Sequence, residues 1–239
     1  MKRLLVLSCL LIPLFAAAED PLPKDLLTTA FARIDYDLEN FLSYSLIYDV
    51  HSWVRDGDDV LEEEYIENGR VRGFTPDSTE TEIFERRKVF GDEEDLEEEG
   101  ESKHEDREEG EGEGESGEMP ELNTAFRERH EFRFIEWTER GSQRVANFEI
   151  YPRKKKKHDY WKGNVWFGTE AGELVALELR PAKRQFGLKA LRIRAEYEAW
   201  GDRDLPLSMD MDIEIKVPII VHKKVSVEMR FTEFQLLVP

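Results

Sequence analysis

The sequence predicts a mainly β protein in which a curled antiparallel sheet forms an incomplete β-barrel and an N-terminal α-helix acts as its lid or plug. Three observations lead to this fold class. Residues 209–217 alternate apolar and charged side chains, strand-like segments follow one another after residue 130 with short turns between them, and one long amphipathic helix precedes them. A sheet with so little helix to cover it must curl to bury its inner face.

Alternation at period two is clearest in residues 209–217 and recurs at 191–198 and 224–231. Successive side chains of a strand point to opposite faces, so the apolar residues of each segment share one face and the charged residues share the other. The inner face of the sheet is therefore predicted to be apolar and the outer face charged.

The first 18 residues have the three parts of a secretory signal peptide. A basic start is followed by an apolar run and by small residues that end at Ala18, after which we expect cleavage and export. Cys9 lies inside this segment, and the apolar run before it is too short for a good lipid-acylation site. The mature chain, 19–239, is predicted to be one domain without disulfides.

An amphipathic helix is predicted next, from 24 to about 43, because apolar residues recur there at three- and four-residue steps. The segments after it are predicted as a strand at 45–55, a turn at 56–58, and two weaker strands at 62–66 and 82–90, joined through Asn68-Gly69 and a loop around Pro76.

Residues 91–120 form an acidic insertion that is predicted to be disordered. The chain has a net charge of −19, and most of the excess lies in this insertion, which contains no aromatic residue. Self-repulsion and the lack of anything to bury favour a solvated loop. A cation sponge or an interaction tail is the alternative, although the ligand spacing of a calcium loop is missing. The same charge argues against binding to nucleic acid.

Beyond the insertion, a short helical turn is predicted at 122–129, followed by a series of consecutive strands. They are predicted at 130–139, 143–151, 163–169, 173–180, 188–200, 207–217 and 223–237. Because the connections are short and no helix intervenes, these strands are predicted to form an antiparallel meander.

No sequence motif argues for catalysis. The sequence lacks a nucleophile elbow, a phosphate loop, a dinucleotide fingerprint and a zinc-protease helix. Its five histidines have no ligand spacing and are predicted to be surface or hydrogen-bonded residues rather than metal ligands. We therefore predict a protein that is not an enzyme and that uses no cofactor and no metal.

A basic run, Arg153, Lys154, Lys155, Lys156 and Lys157, follows a predicted strand. It is interpreted as a solvated hairpin tip whose charge suits attraction to the acidic insertion. The alternative is a peripheral contact with an anionic membrane or an acidic partner, where each basic residue near the surface contributes about 1 kcal/mol.

Aromatic residues and methionines are predicted to share the inner face. Large rings there either pack together or line a cavity, and methionines add adaptable apolar surface. The aromatic residues are Phe132, Phe134, Trp137, Phe148, Trp161, Trp166, Phe167 and Tyr197. The pattern alone leaves both uses open.

Four short motifs lie in the second half of the chain. They are Phe132-Arg-Phe-Ile-Glu-Trp, Phe148-Glu-Ile-Tyr-Pro-Arg-Lys, Trp161-Lys-Gly-Asn-Val-Trp-Phe-Gly-Thr-Glu-Ala-Gly-Glu-Leu-Val, and the turn Asp204-Leu205-Pro206. Over about residues 129–237 the chain resembles exported bacterial proteins of the outer-membrane lipoprotein-sorting type, the LolA/LolB-like family. The acidic insertion is foreign to that family's pattern.

The resemblance implies an open barrel that holds acyl chains in an apolar cavity, in the periplasm of a bacterium with an outer membrane. We accordingly expect an exported, monomeric carrier or binding protein for a lipid-like or lipoprotein ligand. The residues expected to line the cavity are Phe148, Val165, Phe167, Leu177, Ile193, Tyr197, Met209, Met211, Ile213 and Met229. The alternative, from another class, is a non-catalytic structural or interaction protein of the cell envelope with a packed core.

Overall fold

A computed structural model describes residues 21–40, 42–75, 78–91, 122–154, 160–183, 186–201, 203–217 and 221–237. The predicted signal peptide, the acidic insertion after residue 91 and residues 155–157 of the basic run lie outside the described residues. Within the described ranges, no helix combines the length and the apolar character needed to cross a membrane.

The described chain contains two helices and ten strands. In chain order they are α1 (Pro23–Glu39), β1 (Tyr44–Asp56), β2 (Leu61–Thr75), β3 (Ser78–Phe90), α2 (Thr124–Arg129), β4 (His130–Arg140), β5 (Gln143–Pro152), β6 (Trp161–Gly168), β7 (Leu174–Pro181), β8 (Leu188–Trp200), β9 (Arg203–Val217) and β10 (Val221–Leu236). Pro23 suits the first turn of α1, where its missing N–H would have no partner. The side chain of Asn123 caps α2 by accepting a hydrogen bond from the N–H of Phe126 at 2.9 Å.

All ten strands belong to one antiparallel sheet, in the order β3-β2-β1-β10-β9-β8-β7-β6-β5-β4. The sheet curls but does not close, so β3 and β4 form its two edges. Strands β4–β10 follow the chain as a meander, and β1 joins them by pairing with β10. The predicted fold class, a mainly β protein with a curled, open antiparallel sheet and an N-terminal helix, is confirmed.

Strand pairing aligns apolar side chains on one face, which we call the inner face. One row of paired residues runs from Phe148 to Val165, Leu177, Ala195 and Met209. A shift of one residue in any strand would turn its apolar side chains to the opposite face. The alternation in the sequence and the observed register therefore agree.

The described helices lie on one part of the inner face, α1 against β6 and α2 against β4. The core cluster forms there. Its buried members are Leu26, Ala30, Leu122, Phe126, Ala146, Phe148, Ile150, Val165, Phe167, Leu174, Leu177 and Leu179. All of them come from α1, from α2 or the residue pair that precedes it, or from strands β5–β7.

Two predictions about the N-terminal segments are wrong. The helix ends at Glu39 rather than near residue 43, because Asn40 folds back and donates its side-chain N–H to the carbonyl of Tyr36 at 2.9 Å. Asn68-Gly69 is not a connection but lies inside β2. Gly69 is needed in the strand because a Cβ there would stand 2.7 Å from the hydroxyl of Tyr48, whose ring crosses the strand at this point.

Trp166 is the third wrong prediction, since it lies on the outer face rather than the inner one. Its cross-strand partners are Asn147 and Ala176, while its chain neighbours Val165 and Phe167 point to the core. The guanidinium of Arg140 stacks over the Trp166 ring, 4.1 Å from its centroid. This contact covers a large apolar ring on a face that is otherwise polar.

Candidate apolar binding face

The ten residues expected to line a cavity share the inner face but divide into two groups. The first group is buried, and at most 3% of each residue is exposed to solvent: Phe148, Val165, Phe167, Leu177 and Ile193. They lie on β5–β8, and the first four belong to the core cluster beneath the helices. This part of the inner face, which we call the covered half, is filled by the protein's own side chains.

Met209, Met211, Ile213 and Met229 form the second group and are only partly buried. In the register of the sheet, Met209 pairs with Met229 and Ile213 pairs with Val225. The pairing continues onto β1, where Val50 pairs with Met229 and Val54 pairs with Val225. Together these partly exposed apolar residues make what we call the open stripe: Val50, Val54, Met209, Met211, Ile213, Val225, Val227 and Met229.

Tyr197 lies at the boundary between the covered half and the open stripe. It is partly buried and packs against the core cluster from β8. Its pairing with Pro206 follows a shift in the β8–β9 register. Tyr197 therefore contacts the core cluster while lying on β8, the strand next to β9.

A buried ion pair fastens α1 to the start of β9. The guanidinium of Arg33 contacts the carboxylate of Asp204 at 3.0 Å, and the two side chains are 12% and 6% exposed. Arg33 also donates to the carbonyls of Gly201 and Arg203, at 3.1 and 3.0 Å. Asp204 in turn accepts the N–H of Leu174 at 2.9 Å. One carboxylate thus joins α1, β7 and β9 at the edge of the covered half.

A second carboxylate lies close to this ion pair. Burial raises the pKa of Asp37, and the negative charge of Asp204 raises it further. The Oδ1 atom of Asp37 is buried and finds no hydrogen-bond donor among the described residues. Burial also raises the pKa of Asp204, although its hydrogen bonds from Arg33 and Leu174 oppose this. The junction between α1 and β9 therefore favours a protonated carboxyl more than free aspartate does.

His130 anchors α2 on the other side of the covered half. It is fully buried, its Nδ1–H donates to the carbonyl of Phe126 at 2.7 Å, and its Nε2 accepts the N–H of Trp161 at 3.2 Å. These two bonds require the neutral ring with the proton on Nδ1. Burial lowers the pKa of His130, so the ring stays neutral. The prediction of a hydrogen-bonded histidine holds at this position.

The open stripe ends at β2 in a polar rim. The hydroxyl of Tyr48 donates to the carboxylate of Glu67 at 2.9 Å, and Arg86 of β3 donates to the same carboxylate at 2.6 Å. Val50 of the stripe pairs directly with Glu67. Burial, with the adjacent Glu67 carboxylate, raises the pKa of the Tyr48 hydroxyl, so it remains a donor. Small-molecule sites in proteins are likewise mostly apolar with a few fixed polar groups.

The outer face of the same strands is charged, and many of its side chains form ion pairs. Arg194 contacts Asp212 at 3.2 Å and Arg192 contacts Glu178 at 2.8 Å. Lys189 and then His222 lower the pKa of Glu214 to about 2. A polar depression of about 290 Å³ also lies on this face. Its lining residues are Trp53, Arg55, Arg194, Asp210, Asp212, Ser226, Val227 and Glu228.

Only the start of the basic run is described. Arg153 is exposed, but its Nε donates to the carbonyl of His130 at 3.0 Å, so its guanidinium is partly committed to the fold. Lys154 is exposed to solvent. In the described ranges, no group of three or more His, Cys, Asp or Glu side chains is arranged to hold a metal ion.

Sequence reasoning missed two parts of this site. Val50 and Val54 of β1 belong to the open stripe, and the signal for them was available, because they alternate with His51, Trp53 and Arg55. The Arg33–Asp204 ion pair joins residues 171 positions apart. No local pattern relates residues at that separation, so only the folded chain reveals the pair.

No protein-family model and no curated protein matches the chain. Among solved structures, it is similar to a LolA superfamily protein from Nitrosomonas europaea, with 9% identity, a TM-score of 0.36 and coverage of 89% of this chain and 94% of that one. It is also similar to an outer membrane lipoprotein-sorting protein domain from Vibrio parahaemolyticus, with 11% identity, a TM-score of 0.43 and coverage of 90% and 92%. A third is the Pseudomonas aeruginosa MucA/MucB complex, with 8% identity, a TM-score of 0.26 and coverage of 90% and 99%. The first two belong to the family that the sequence motifs resemble.

Proposed function

We propose that this protein is an exported, periplasmic binding or carrier protein, and that the open stripe holds the hydrocarbon of a lipid-like ligand such as the acyl chain of a lipoprotein. The supporting observation is the partly exposed apolar surface formed by β9, β10 and β1 on the inner face. Contiguous apolar surface left in contact with water marks a binding site more often than scattered apolar residues do. The family resemblance of the sequence motifs points to the same class of ligand.

The dimensions of the open stripe suit one extended hydrocarbon chain. Three strands spaced about 4.8 Å apart, with about five residues used along each, give an area of roughly 10 Å by 13 Å. Covering that area removes roughly 250 Å² of apolar surface from water on the two partners together, a gross gain of about 6 kcal/mol. Because association and ordering oppose this gain, we expect reversible binding in the micromolar range or weaker.

The chemistry of the stripe suits ligands of varied shape. Met209, Met211 and Met229 are unbranched and polarizable, so they adjust to different chains without a strict fit. The polar rim, Glu67 with Tyr48 and Arg86, lies where the hydrocarbon would end and a headgroup would begin. We therefore assign the class of ligand as amphiphilic, with an apolar tail on β9, β10 and β1 and a polar end near β2.

The proposal is tested by ligand content and by binding of a fluorescent long-chain fatty acid, cis-parinaric acid. Gentle purification from the periplasm followed by native mass spectrometry should detect a bound apolar molecule. Met211→Gln and Met229→Gln should each weaken probe binding roughly five- to thirtyfold, since a buried amide without partners costs about 1–2 kcal/mol.

Ile66→Gln is the matched control. Ile66 is also partly exposed, but it pairs with His51 and so lies on the outer face. This variant should bind the probe as the unmodified protein does. A protein that carries no apolar molecule and does not bind the probe would contradict the proposal, and equal weakening by Ile66→Gln would place the binding site elsewhere.

Export is tested separately. If the segment before residue 19 is a signal peptide, the protein recovered from the periplasm should begin at Glu19, which intact-mass measurement or N-terminal sequencing detects. Recovery of a chain that retains residues 1–18 in the cytoplasm would contradict this part of the proposal.

Peripheral membrane contact through Arg153 and Lys154–Lys157 forms part of the proposal for cargo transfer. The affinity for vesicles that contain anionic phospholipid, measured by co-sedimentation, should fall about thirtyfold when Lys154 and Lys155 are both changed to Gln, since each charge contributes about 1 kcal/mol. Arg153 is left unchanged because it supports His130. Binding that is unaffected by these changes would exclude the basic run as the contact.

A second candidate function is that of a non-catalytic interaction protein of the cell envelope. The observation in its favour is the covered half, where Phe148, Val165 and Phe167 are packed and leave their part of the inner face filled. Capture of a defined periplasmic partner, lost when residues 92–118 are deleted, combined with no bound apolar molecule, would favour this candidate over the carrier.

A further inference from the structure

One row of paired residues on the inner face leads from the open stripe to the polar rim. It crosses β9, β10, β1, β2 and β3, and its members are Met209, Met229, Val50, Glu67 and Arg86. At about 4.8 Å per strand, the first and the last of them are about 19 Å apart. On one face of the sheet, three apolar side chains are therefore followed by a carboxylate and then by a guanidinium.

A buried tyrosine fixes the charged end of this row. Gly69 has no Cβ, so the ring of Tyr48 can cross β2 there, and its hydroxyl donates to the carboxylate of Glu67 at 2.9 Å. Tyr48 is 6% exposed. The other oxygen of Glu67 accepts the Nε–H of Arg86 at 2.6 Å. Tyr48 therefore orients Glu67, and Glu67 orients the guanidinium.

The hydrogen-bonding capacity that remains on the polar rim belongs to Arg86. A guanidinium carries N–H donors on all of its nitrogens, and in the described part of the chain only the Nε–H of Arg86 has a partner. The Arg86 side chain is 58% exposed, whereas that of Glu67 is 20% exposed and both its oxygens already accept a hydrogen bond. The terminal nitrogens of a guanidinium form a planar fork that matches the oxygens of a carboxylate or a phosphate.

The two neighbouring cations of β3 differ from Arg86. Lys88 also lies on the inner face, but its side chain is only 8% exposed. Its ammonium lies 5.4 Å from the centroid of the Tyr65 ring and 3.7 Å from the carboxylate of Glu63, so the fold itself uses this charge. Arg87 alternates with both and lies on the outer face. Among the cations of β3, Arg86 is therefore the one that combines an inner-face position with an exposed guanidinium.

We propose that the ligand carries an anionic group, a carboxylate or a phosphate, and that Arg86 binds this group while the hydrocarbon lies on the open stripe. The inference rests on the proposed function and adds the charge of the ligand to it. An ammonium group would be repelled by Arg86 and would find both oxygens of Glu67 already hydrogen-bonded. The net charge of −19 opposes an anion mainly over distances that salt screens, whereas the contact with Arg86 is local.

Two forms of one fluorescent probe test the proposal. They are cis-parinaric acid, which is anionic at about pH 8, and its uncharged methyl ester. Both offer the same hydrocarbon to the open stripe, so a variant that changes only the affinity for the acid acts on the charge. Arg86→Gln should weaken binding of the acid about five- to tenfold, the size expected for a charge-assisted contact that stays partly solvated, and should leave binding of the ester unchanged.

Arg87→Gln is the matched control. It removes the same charge from the next residue of β3, which is 62% exposed but lies on the outer face, and it should leave both affinities unchanged. Circular dichroism shows whether each variant is folded, and an unchanged affinity for the ester shows that the open stripe is intact. If Arg86→Gln does not fold, Arg86→Lys replaces it. This variant keeps the charge but loses the planar fork, so it should weaken the acid several-fold and spare the ester.

Displacement of the probe by amphiphiles that share one hydrocarbon chain distinguishes the two anionic groups. Oleic acid offers a carboxylate and oleoyl lysophosphatidic acid offers a phosphate, while oleyl alcohol is uncharged and oleylamine is cationic. Each is measured against the unmodified protein and against Arg86→Gln. We expect the variant to weaken the two anions and to spare the alcohol and the amine. The anion that loses more affinity identifies the group that Arg86 prefers, and either result supports the proposal.

Affinity for the acid that Arg86→Gln leaves unchanged would overturn this inference and leave the proposed function intact. So would equal losses for acid and ester, which would show that Arg86 only supports the fold, or an equal loss in Arg87→Gln. Displacement that is strongest with oleylamine would assign the polar end of the ligand to Glu67 and would also overturn it. A protein that binds neither the acid nor the ester would instead contradict the proposed function, and this inference with it.

Discussion

Leu177 on β7 and Met209 on β9 lie on the same face, in one row of paired residues, with a single strand between them. Leu177 is 3% exposed and belongs to the core cluster, whereas Met209 is partly exposed and contributes to the open stripe. Both come from strands with apolar residues at alternate positions. The difference arises from what lies above them, because α1 and α2 rest on β6 and β4. The comparison shows that alternation selects a face, while helix packing decides whether that face is closed.

The covered half should carry most of the stability, and Phe148→Ala tests this with the largest expected effect. Phe148 is 2% exposed and contacts the rings of Phe134 and Phe167, with centroids 5.7 and 6.0 Å away. Loss of a buried phenyl ring should lower the free energy of unfolding by about 3–5 kcal/mol. Met229→Ala in the open stripe should cost about 1 kcal/mol, because its side chain is already partly in water. Urea denaturation measures both, and equal losses would mean that the two halves are equally packed.

The ion pair that fastens α1 is the next test. Arg33→Met leaves Asp204 buried without its charge partner and should lower the free energy of unfolding by about 2–4 kcal/mol. Arg192→Met removes an arginine from the exposed pair with Glu178 and should cost at most about 1 kcal/mol. Adding Asp204→Asn to Arg33→Met should recover part of the loss. A loss no larger than that of Arg192→Met would show that α1 is held by apolar packing alone.

Gly172 offers a smaller change at the same boundary. It has φ +69°, and a Cβ there would stand 2.8 Å from the backbone nitrogen of Ala30 in α1. Gly172→Ala should therefore displace the helix and lower the free energy of unfolding by about 2 kcal/mol or more, including about 1 kcal/mol of left-handed strain. Gly141→Ala is the matched control, since Gly141 has φ +60° but nothing within 4 Å of its Cβ position. Thermal unfolding should separate the two variants, and identical shifts would mean that the helix does not press on this turn.

The smallest expected effect is the loss of stability at low pH that arises from His130, the residue that anchors α2. Burial lowers the pKa of His130 in the folded chain. When the pH falls below the ordinary histidine pKa of about 6.5, the unfolded chain therefore binds a proton at this residue and the folded chain does not. The free energy of unfolding should therefore fall as pH decreases from about 6.5, by at most about 1.4 kcal/mol per pH unit from this group, and this group adds no slope at higher pH. Chemical denaturation from pH 7.5 to 5.5 measures the slope.

His130→Gln is the comparison for this slope, because it removes the titrating ring. The difference in unfolding free energy between the two proteins should shrink as the pH is lowered. Asp37 and Asp204 act in the opposite sense: burial raises the pKa of each, so in the folded state they take up protons above about pH 3.8 and favour the folded state as the pH falls. A difference that does not change with pH would contradict the neutral state assigned to His130.

Much of the fold could be predicted because its signals are local. The last two strands were placed within four residues of their observed ends, and the strand at 188–200 was placed at its observed ends. The register of β8–β10 follows from alternation, since one slip would bury charges. The prediction failed at Gly69, where the glycine makes room for Tyr48 from a neighbouring strand, and at Trp166, whose ring is covered by Arg140. In both cases the deciding contact comes from a residue on another strand.

For the candidate site, the sequence predicted only which residues share one face of the sheet. Alternation placed Met209, Met211 and Ile213 with Ile193 on one side of the sheet, and the structure has them there. It did not separate Ile193, which is 3% exposed, from its partly exposed partner Met211. That separation depends on where α1 and α2 lie, and their positions rest on contacts such as Arg33 with Asp204 across 171 residues.

By itself the sequence determined the strands of the antiparallel meander and most of their faces, because side-chain direction in a strand repeats every two residues and short turns leave neighbouring strands no other way to pair. Tertiary structure alone decided that the helices lie against β4 and β6 and leave β9, β10 and β1 partly open, and that β3 ends the sheet. Burial and edge position depend on which distant segments meet. The free energy of such contacts is a property of the assembled chain and is not carried by any one segment.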